Sequence, residues 1–244
     1  MIKKNIINSI LENIKTIIGA LIIAIIIRSL IFQPFYIPSS SMEPTLLVGD
    51  RIFVSKYTFG FSKHSFPFSP ALFDERIFYK KPKQGDLVVF KTPVDNRTDY
   101  IKRLIGLPGD EVQFINGDIF INDKKIVRKK ISVTDLVRCG EISFKVNAFE
   151  ETLPNGKKHI AVYNEEGTLQ NTKKFKVPAN QFFFLGDNRD CSKDSRYLGS
   201  VNSVNLVGKA QMIFFSNDTV KGSLLKFWNL KNSFRTDRLF RKIK

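Results

Sequence analysis

Residues 99–110 read DYIKRLIGLPGD and combine the alternation of a β-strand with a turn at its end. Because successive side chains of a strand point to opposite faces, Lys102 and Arg103 lie on different faces. Each cation has apolar or aromatic neighbours along its own face: Tyr100 and Leu104 beside Lys102, and Ile101 and Ile105 beside Arg103. The stretch therefore predicts a strand that carries a lysine within an apolar surface.

The chain around this strand is rich in other strand patterns. Residues 85–90 form a β-branched run that opens with a turn pair, and residues 112–126 carry apolar positions interrupted by the turn pairs Asn116–Gly117 and Asn122–Asp123. Few long helical periodicities appear between them, so the chain after residue 33 is predicted to be mainly β. Further strand candidates are residues 142–146, 159–163, 182–185 and 210–215.

The N-terminal segment has the pattern of a long apolar helix instead of strands. Residues 14–32 read IKTIIGALIIAIIIRSLIF, and 19 helical residues span roughly 28 Å, about one hydrocarbon thickness. A cleaved secretory signal is the alternative, because the purely apolar part is short, but the segment ends in FQPF without a small-residue cleavage site. We predict an uncleaved anchor, with Lys3 and Lys4 ahead of it placing the N-terminus in the cytoplasm.

Composition limits the classes of partner. Of 244 residues 43% are hydrophobic and 25% charged, which is typical of a globular chain, and the net charge is +16. Lysine is spread along the whole sequence instead of forming one basic block, so we expect no nucleic-acid partner. A basic surface also suits anionic lipid headgroups, to which each nearby Lys or Arg contributes about 1 kcal/mol.

Metal and thiol chemistry have little support in the sequence. Cys139 and Cys191 lack the spacing of a zinc site, and the two histidines, His64 and His159, are far apart in the chain. We expect no metal site. Spacing does not decide whether the two thiols form a disulfide.

A run of three serines between two prolines, IPSSSMEP at residues 37–44, is a candidate nucleophile segment. A serine hydroxyl needs a positioned base. His64 lies in the loop SKHSFPFSP at residues 62–70, His159 follows two lysines, and no motif supports either. Lysine, with a solution pKa of about 10.4, becomes a base when burial lowers its pKa by several units. Lys102 meets that requirement.

Four motifs occur in order after the apolar segment: PSSSMEPTLLVGDRIFV, GDLVVF, YIKRLIGLPGDEV and GDNRDCSKDSRYLG. Together they closely resemble the bacterial type I signal peptidases, or leader peptidases, which use a serine/lysine dyad. The resemblance covers the anchor, residues 34–115 and residues 181–210. It implies a signal-peptidase-type β ectodomain with an inserted β subdomain, preceded by one transmembrane helix, and no cofactor.

The expected organisation follows from these segments. Residues 1–33 form a short cytoplasmic tail and the anchor, residues 34–115 and 180–217 form the catalytic β core, and residues 116–179 form an inserted β-rich subdomain. Residues 218–244 are a basic amphipathic tail. It either lies on a membrane surface or packs as a terminal strand or helix.

The resemblance also implies roles for single residues. Ser41 is the nucleophile, Lys102 the general base, and the Ser39 hydroxyl joins the Ser41 backbone N–H in the oxyanion hole. Ser192 orients the lysine, and Ser40 is a spacer. Residues expected to be structural near the site are Arg103, Asp187, Asp194 and Arg196. Cys191 stands where asparagine is more familiar.

Shallow apolar pockets are expected to bind the substrate, because the family cuts after small residues at P1 and P3, as in Ala-X-Ala. Pro38 and Pro44 stiffen the segment that carries Ser41. The residues expected to line the pockets are Ile37, Pro38, Met42, Leu46, Tyr100 and Ile101.

The resemblance implies a membrane-bound serine endopeptidase that removes signal peptides from exported preproteins. It would be a single-pass protein of the bacterial inner membrane, with its catalytic domain on the periplasmic side. Its partners would be preprotein signal peptides, the phospholipid bilayer and the secretion translocon. Two alternatives are a self-cleaving serine/lysine protein and an anchored binding protein without catalysis. The preferred preproteins and the oligomeric state do not follow from the sequence.

Overall fold

The computed structural model describes residues 2–70, 74–131, 136–140, 142–164, 171–218 and 234–243. Helix α1 (Ile2–Ile26) continues into a π-helical turn (Ile27–Ile31). A second, short helix, α2 (Ser195–Leu198), comes late in the chain. In chain order the strands are β1 (Phe32–Tyr36), β2 (Asp50–Ser55), β3 (Leu87–Lys91), β4 (Asp99–Gly106), β5 (Glu111–Ile115), β6 (Asp118–Ile121), β7 (Lys124–Lys125), β8 (Val127–Lys130), β9 (Leu136–Cys139), β10 (Ile142–Lys145), β11 (Asn147–Thr152), β12 (Lys158–Tyr163), β13 (Phe175–Lys176), β14 (Gln181–Leu185), β15 (Val201–Asn202), β16 (Leu206–Ser216) and β17 (Arg241–Lys242).

One large sheet organises the protein. Its strand order is β1-β2-β16-β3-β4-β14-β15, with β17 paired to β16, and its pairs are antiparallel. The 11-residue strand β16 pairs with both β2 and β3 and shifts register along its length. Such irregularities increase twist and bend a strand, which suits a curled sheet. The mainly β fold predicted from the sequence is confirmed.

Apolar side chains pack on both faces of this sheet. One cluster joins Ile37, Met42 and Leu46 to strands β2, β3 and β16, and another stacks Phe90 on Phe184 with the ring centroids 4.6 Å apart. Strand β4 contributes to both, because Ile101 packs against the first cluster while Tyr100 and Leu104 belong to the second. The alternation read from residues 99–110 is therefore the alternation in the structure.

Three smaller sheets follow β4: β13-β5-β6-β7, β12-β11-β8 and β10-β9. The two predicted turn pairs are hairpin turns, since Asn116, Gly117, Asn122 and Asp123 all have φ between 50° and 76°. Strand β5 pairs with β6 and β13, so a strand within the segment expected as catalytic core hydrogen-bonds with the inserted segment instead. The Leu107–Asp110 turn redirects the chain at this point.

The described part of the C-terminal tail packs against the large sheet. Strand β17 pairs with Met212 and Ile213 of β16, and Arg238 is buried with its Nη2 atom 2.6 Å from Asp50 Oδ2. For residues 234–243 the structure agrees with the packed alternative. The expected membrane contact of the remaining tail concerns residues 219–233, which lie outside the described residues.

The N-terminal helix has an apolar surface that the protein itself does not cover. Residues Ser9–Ile31 form a candidate membrane span by length and composition, with a mean hydropathy of 2.3, and 6% of its most apolar window is buried. A helix that is apolar on all sides needs an apolar environment.

We expect the Phe90–Phe184 stack to be a major source of stability. Phe184→Ala should lower the free energy of unfolding by about 3–5 kcal/mol, because it leaves a cavity in a fully buried site. The measurement is urea unfolding of the detergent-solubilised protein. Phe78→Ala, at a side chain that is 79% exposed, is the matched control and should change little. Equal effects of the two variants would contradict the assignment of the core.

Candidate active site

The three serines lie in a tight turn that apolar anchors hold on the large sheet. Ser40–Met42 form one 3-10 turn directly after β1. On either side of it, Ile37 N donates to Asp50 O at 2.9 Å and Leu46 N donates to Met42 O at 2.9 Å. The turn therefore has a fixed position relative to β2.

Lys102 comes from β4 and meets this turn. Its Nζ atom lies 2.5 Å from Ser41 Oγ, and the side chain is only 4% exposed. Burial lowers the pKa of Lys102 to about 8, although the nearby Asp194 and Asp187 carboxylates oppose this shift. A substantial neutral fraction near pH 8 makes Lys102 a competent proton acceptor for Ser41.

Ser39 and Ser40 are placed differently. Ser39 is exposed, and its Oγ atom lies 3.3 Å from Ser41 Oγ. Ser40 is buried, and its backbone carbonyl accepts a hydrogen bond from Asn188 Nδ2 at 3.2 Å. The structure thus brings the side chains of Ser39, Ser41 and Lys102 together, and it uses the Ser40 backbone to hold the turn.

The loop after β14 docks on both functional segments. Asp187 receives two hydrogen bonds from Arg103, from Nε and Nη2, each at 2.8 Å, and a third from Thr45 Oγ1 at 2.5 Å. Asn188 N donates to Ser41 O at 3.2 Å. Burial by itself would raise the pKa of Asp187, but the charge and hydrogen bonds of Arg103 outweigh this effect, so the pKa is lowered. The loop is therefore bound to the strand that carries Lys102 and to the turn that carries Ser41.

A second ion pair closes the loop on itself. Arg196 Nε donates to Asp194 Oδ1 at 2.8 Å, and Asp194 Oδ2 also accepts from Gly186 N at 3.0 Å. Asp194 is in addition the N-cap of α2. The four residues expected to be structural, Arg103, Asp187, Asp194 and Arg196, therefore form two buried pairs around the site.

Ser192 is close to the site but does not make the expected bond to Lys102. Its side chain is buried, and its Oγ atom has no hydrogen-bond partner within the described part of the chain. A Cβ atom on Gly186 would lie 2.2 Å from Ser192 Oγ and 2.5 Å from Ser41 O. Glycine at position 186 thus allows the Ser192 side chain and the Ser41 backbone to approach one another.

The expected substrate-binding residues divide into two groups. A groove of about 390 Å³ beside Ser41 and Lys102 is lined by Ile37, Pro38, Tyr100 and Ile101. Met42 and Leu46, at 1% and 0% exposure, lie in the core cluster and do not line this groove. Their spacing from Ser41 gave no means of distinguishing a pocket wall from a core anchor.

The edge of β4 borders this groove. Strand β14 pairs with β4 only from Arg103 to Gly106, which leaves the edge at Tyr100–Lys102 without a partner strand on that side among the described residues. An unpaired strand edge offers backbone donors and acceptors to an extended peptide.

A disulfide connects the inserted segment to the site. Cys139, at the end of β9, is bonded to Cys191, and their Cα atoms are 5.5 Å apart. Cys191 immediately precedes Ser192 and lines the groove, and β9 lies against the Ser40–Met42 turn. The sequence left this pairing open.

Sequence reasoning also missed a buried ionic network. Arg189 donates to both carboxylate oxygens of Glu151, at 2.9 and 2.7 Å, and contacts His159 Nε2 at 3.2 Å. Tyr163 OH donates to the same carboxylate. Burial lowers the pKa of His159, although its Nε2 atom also lies 3.2 Å from Glu151 Oε2, which opposes this shift. The sequence feature that could have indicated this network is Arg189, the arginine within the GDNRD motif.

The described residues contain no group of three or more His, Cys, Asp or Glu side chains that could hold a metal ion.

Comparisons with known proteins bear on this arrangement. A model of the family described as signal peptidase, peptidase S26, matches residues 10–215. The signal peptidase I of Rickettsia typhi is 43% identical over 242 residues, covering 91% of this chain and 89% of its own, and that of Rickettsia conorii is 44% identical with coverages of 91% and 88%. A crystal structure of a signal peptidase I from Enterococcus faecalis V583, 25% identical, covers 53% of this chain and 97% of its own with a TM-score of 0.33.

The family match spans most of the chain, and the Rickettsia relatives are matched over nearly their whole length. This chain therefore belongs to the signal peptidase family, peptidase S26, and is a serine peptidase.

Proposed function

We propose that this protein is a membrane-anchored endopeptidase that cleaves signal peptides from exported preproteins, with Ser41 as nucleophile and Lys102 as general base. The observation that carries the proposal is the buried contact of 2.5 Å between Lys102 Nζ and Ser41 Oγ at the side of an apolar groove. Membership of the signal peptidase family supports the substrate class.

The geometry supports a two-step acyl transfer. The neutral Lys102 amine takes the Ser41 proton as Oγ attacks the scissile carbonyl, and the resulting ammonium gives the proton to the leaving amine. The same amine then takes a proton from a water molecule that attacks the acyl-enzyme, and the ammonium returns this proton to Ser41 Oγ as the acid product leaves. With a pKa of about 8, roughly a tenth of Lys102 is neutral at pH 7.

Developing negative charge on the carbonyl oxygen needs donors. The Ser41 backbone N–H and the exposed Ser39 hydroxyl, 3.3 Å from Ser41 Oγ, are the donors that we assign to it. Such a donor is worth roughly 3–4 kcal/mol in the transition state. Ser39 is free to rotate toward a substrate because it is exposed, whereas Ser40 is buried.

Ser192 is a positioning residue in this mechanism. A buried hydroxyl without a partner is uncommon and calls for a physical reason. A small rotation of the Lys102 or Ser192 side chain when substrate binds would supply its partner. Ser192 would then hold the amine in line with Ser41 Oγ.

The groove suits an extended peptide with small side chains. Ile37, Pro38, Tyr100 and Ile101 line an apolar and shallow surface, and the free edge of β4 can pair with substrate backbone. Pairing fixes which side chains face the wall, because alternate residues of an extended chain point the same way. We therefore expect a preference for small residues at P1 and P3 and indifference at P2.

The anchor gives this activity its location. Ser9–Ile31 is long and apolar enough to cross a bilayer, and Lys3 and Lys4 precede it. With the N-terminus in the cytoplasm, the catalytic domain lies on the periplasmic side of the inner membrane. The disulfide between Cys139 and Cys191 supports an oxidising compartment. The secretion translocon is a partner because the proposed substrates are exported preproteins.

The base assignment predicts a pH profile. Lys102 must lose its proton before it can act, so kcat/KM should rise about tenfold per pH unit at low pH and level off above an apparent pKa of about 8. Lys102→Arg should be inactive at every pH, since guanidinium stays protonated. A rate that stays flat from pH 6 to 9, or an active arginine variant, would exclude Lys102 as the base.

The serine roles predict three different outcomes. Ser41→Ala should abolish cleavage of a preprotein, and Ser39→Ala should lower kcat by roughly 10²–10³-fold through loss of an oxyanion donor. Ser40→Ala, the matched control between them, should keep most activity. The measurement is steady-state cleavage by detergent-solubilised enzyme. Equal losses at positions 39 and 40 would remove the distinction between oxyanion donor and spacer.

A further inference from the structure

A second cavity, of about 580 Å³, lies next to the substrate groove, and the proposed chemistry does not use it. It opens between the end of the N-terminal helix, the loop at residues 62–70 and the β3–β4 connection. We call it the basic pocket. Its lining includes five cationic side chains: Arg28, Lys56, Lys63, Lys91 and Arg97.

The carboxylates at the basic pocket do not balance these charges. Asp99 is paired with Lys91, with Oδ1 2.9 Å from Nζ. Asp95 accepts hydrogen bonds from its own turn, from the backbone N–H groups of Arg97 and Thr98 and from the Thr98 hydroxyl. Arg28, Lys63 and Arg97 have no ion pair within the described ranges. The pocket therefore carries an excess of positive charge that an anion would stabilise.

Two buried side chains at the basic pocket have hydrogen-bonding capacity to spare. Lys56 is only 2% exposed, and its ammonium, which has three donors, bonds to a single oxygen among the described residues, the backbone oxygen of Ser65 at 2.5 Å. His64 is 5% exposed. Its Nδ1 atom lies 3.0 Å from Ser69 Oγ, and its Nε2 atom has no partner among the described residues.

The protonation of these two groups leaves both able to donate hydrogen bonds to an anion. Burial, and then the charge of Arg28, lower the pKa of Lys56 to about 8, and burial followed by the charge of Lys63 lowers the pKa of His64 to about 4. Lys56 is thus mostly charged at neutral pH, and His64 is neutral. When the Ser69 hydroxyl donates to Nδ1, Nε2 carries the ring proton and is a donor.

The position of the basic pocket selects the kind of anion. Arg28 lies near the C-terminal end of the candidate span and Gln33 lies just beyond it, so a bilayer around Ser9–Ile31 places its headgroups at the mouth of the pocket. Phe66 and Pro67 line the same cavity, and Phe68 beside them is fully exposed. Exposed aromatic residues next to cations are typical of surfaces that lie in a membrane interface.

We propose that the basic pocket binds the phosphate of an anionic phospholipid, with Phe68 inserted among the neighbouring lipids. The phosphate oxygens accept charge-assisted hydrogen bonds from the arginine and lysine side chains. Phe35 and Asp99 line both this pocket and the substrate groove, so a bound headgroup fixes the height of the groove above the bilayer. The proposal rests on the anchoring described under the proposed function.

The test measures lipid binding directly, without catalysis. Delipidated full-length protein in neutral detergent is titrated with short-chain phosphatidylglycerol, short-chain phosphatidylcholine and inorganic phosphate, and bound molecules are counted by native mass spectrometry. We expect phosphatidylglycerol to bind at least tenfold more tightly than either other probe. Inorganic phosphate that binds as tightly as phosphatidylglycerol would overturn the lipid assignment.

Matched double variants locate the site. Lys63→Gln with Arg97→Gln, at side chains that reach the surface, should weaken phosphatidylglycerol binding at least tenfold. Lys129→Gln with Lys130→Gln, which removes the same charge from exposed positions of β8, should leave it within twofold of wild type. Equal weakening by both pairs would show nonspecific attraction and overturn the proposal.

Two further measurements separate this inference from the proposed function. Ser41→Ala should bind phosphatidylglycerol like wild type, because Ser41 does not line the basic pocket. In lipid-free detergent the Lys63/Arg97 double variant should cleave a preprotein at the wild-type rate. A wild-type protein that cleaves the preprotein but has no preference for phosphatidylglycerol would overturn the pocket alone, and a wild-type protein that binds phosphatidylglycerol but does not cleave would overturn the peptidase assignment alone.

Discussion

A primary amine held out of water against a serine hydroxyl is the contact on which the rest of the site depends. Burial favours the neutral form of Lys102, and two nearby carboxylates, Asp194 and Asp187, oppose that effect. Each is instead engaged by an arginine: Asp187 by Arg103 and Asp194 by Arg196. Besides holding the loop, the two ion pairs therefore keep the carboxylates from pairing with Lys102, which would stabilise its protonated form.

The inserted segment is part of the same construction. Glu151 of β11 holds Arg189 of the loop, and Val162 N of β12 donates to Asp187 O at 2.8 Å. The Cys139–Cys191 bond adds a covalent link from β9. Breaking a buried ion pair by removing one partner typically costs 3–5 kcal/mol. Damage to the inserted strands would therefore reach Ser192 and Lys102 through the loop.

What the sequence could predict was local. Alternation in residues 99–110 and the turn pairs at Asn116 and Asn122 depend on neighbouring residues, and both are present in the structure. The Ser41–Lys102 pair was predicted from the resemblance of four ordered motifs to the signal peptidases, because a lysine in a strand is by itself more often a solvated surface residue. The Cys139–Cys191 bond, the Glu151–Arg189 pair and the pairing of β5 with β13 join distant segments, which no local pattern specifies. Met42 and Leu46 were wrongly expected at the groove, because closeness to Ser41 in the sequence does not show which way a side chain points.

Strand β4 carries two buried cations side by side, and they are not interchangeable. Lys102 faces a hydroxyl and must be able to lose a proton, whereas Arg103 faces a carboxylate and must keep its charge. A slip of one residue would exchange their faces. A slip in one direction would place the permanent guanidinium of Arg103 at Ser41, and a slip in the other direction would place the single ammonium of Lys102 at Asp187. Insertions and deletions within β4 should therefore be absent from functional descendants of this chain.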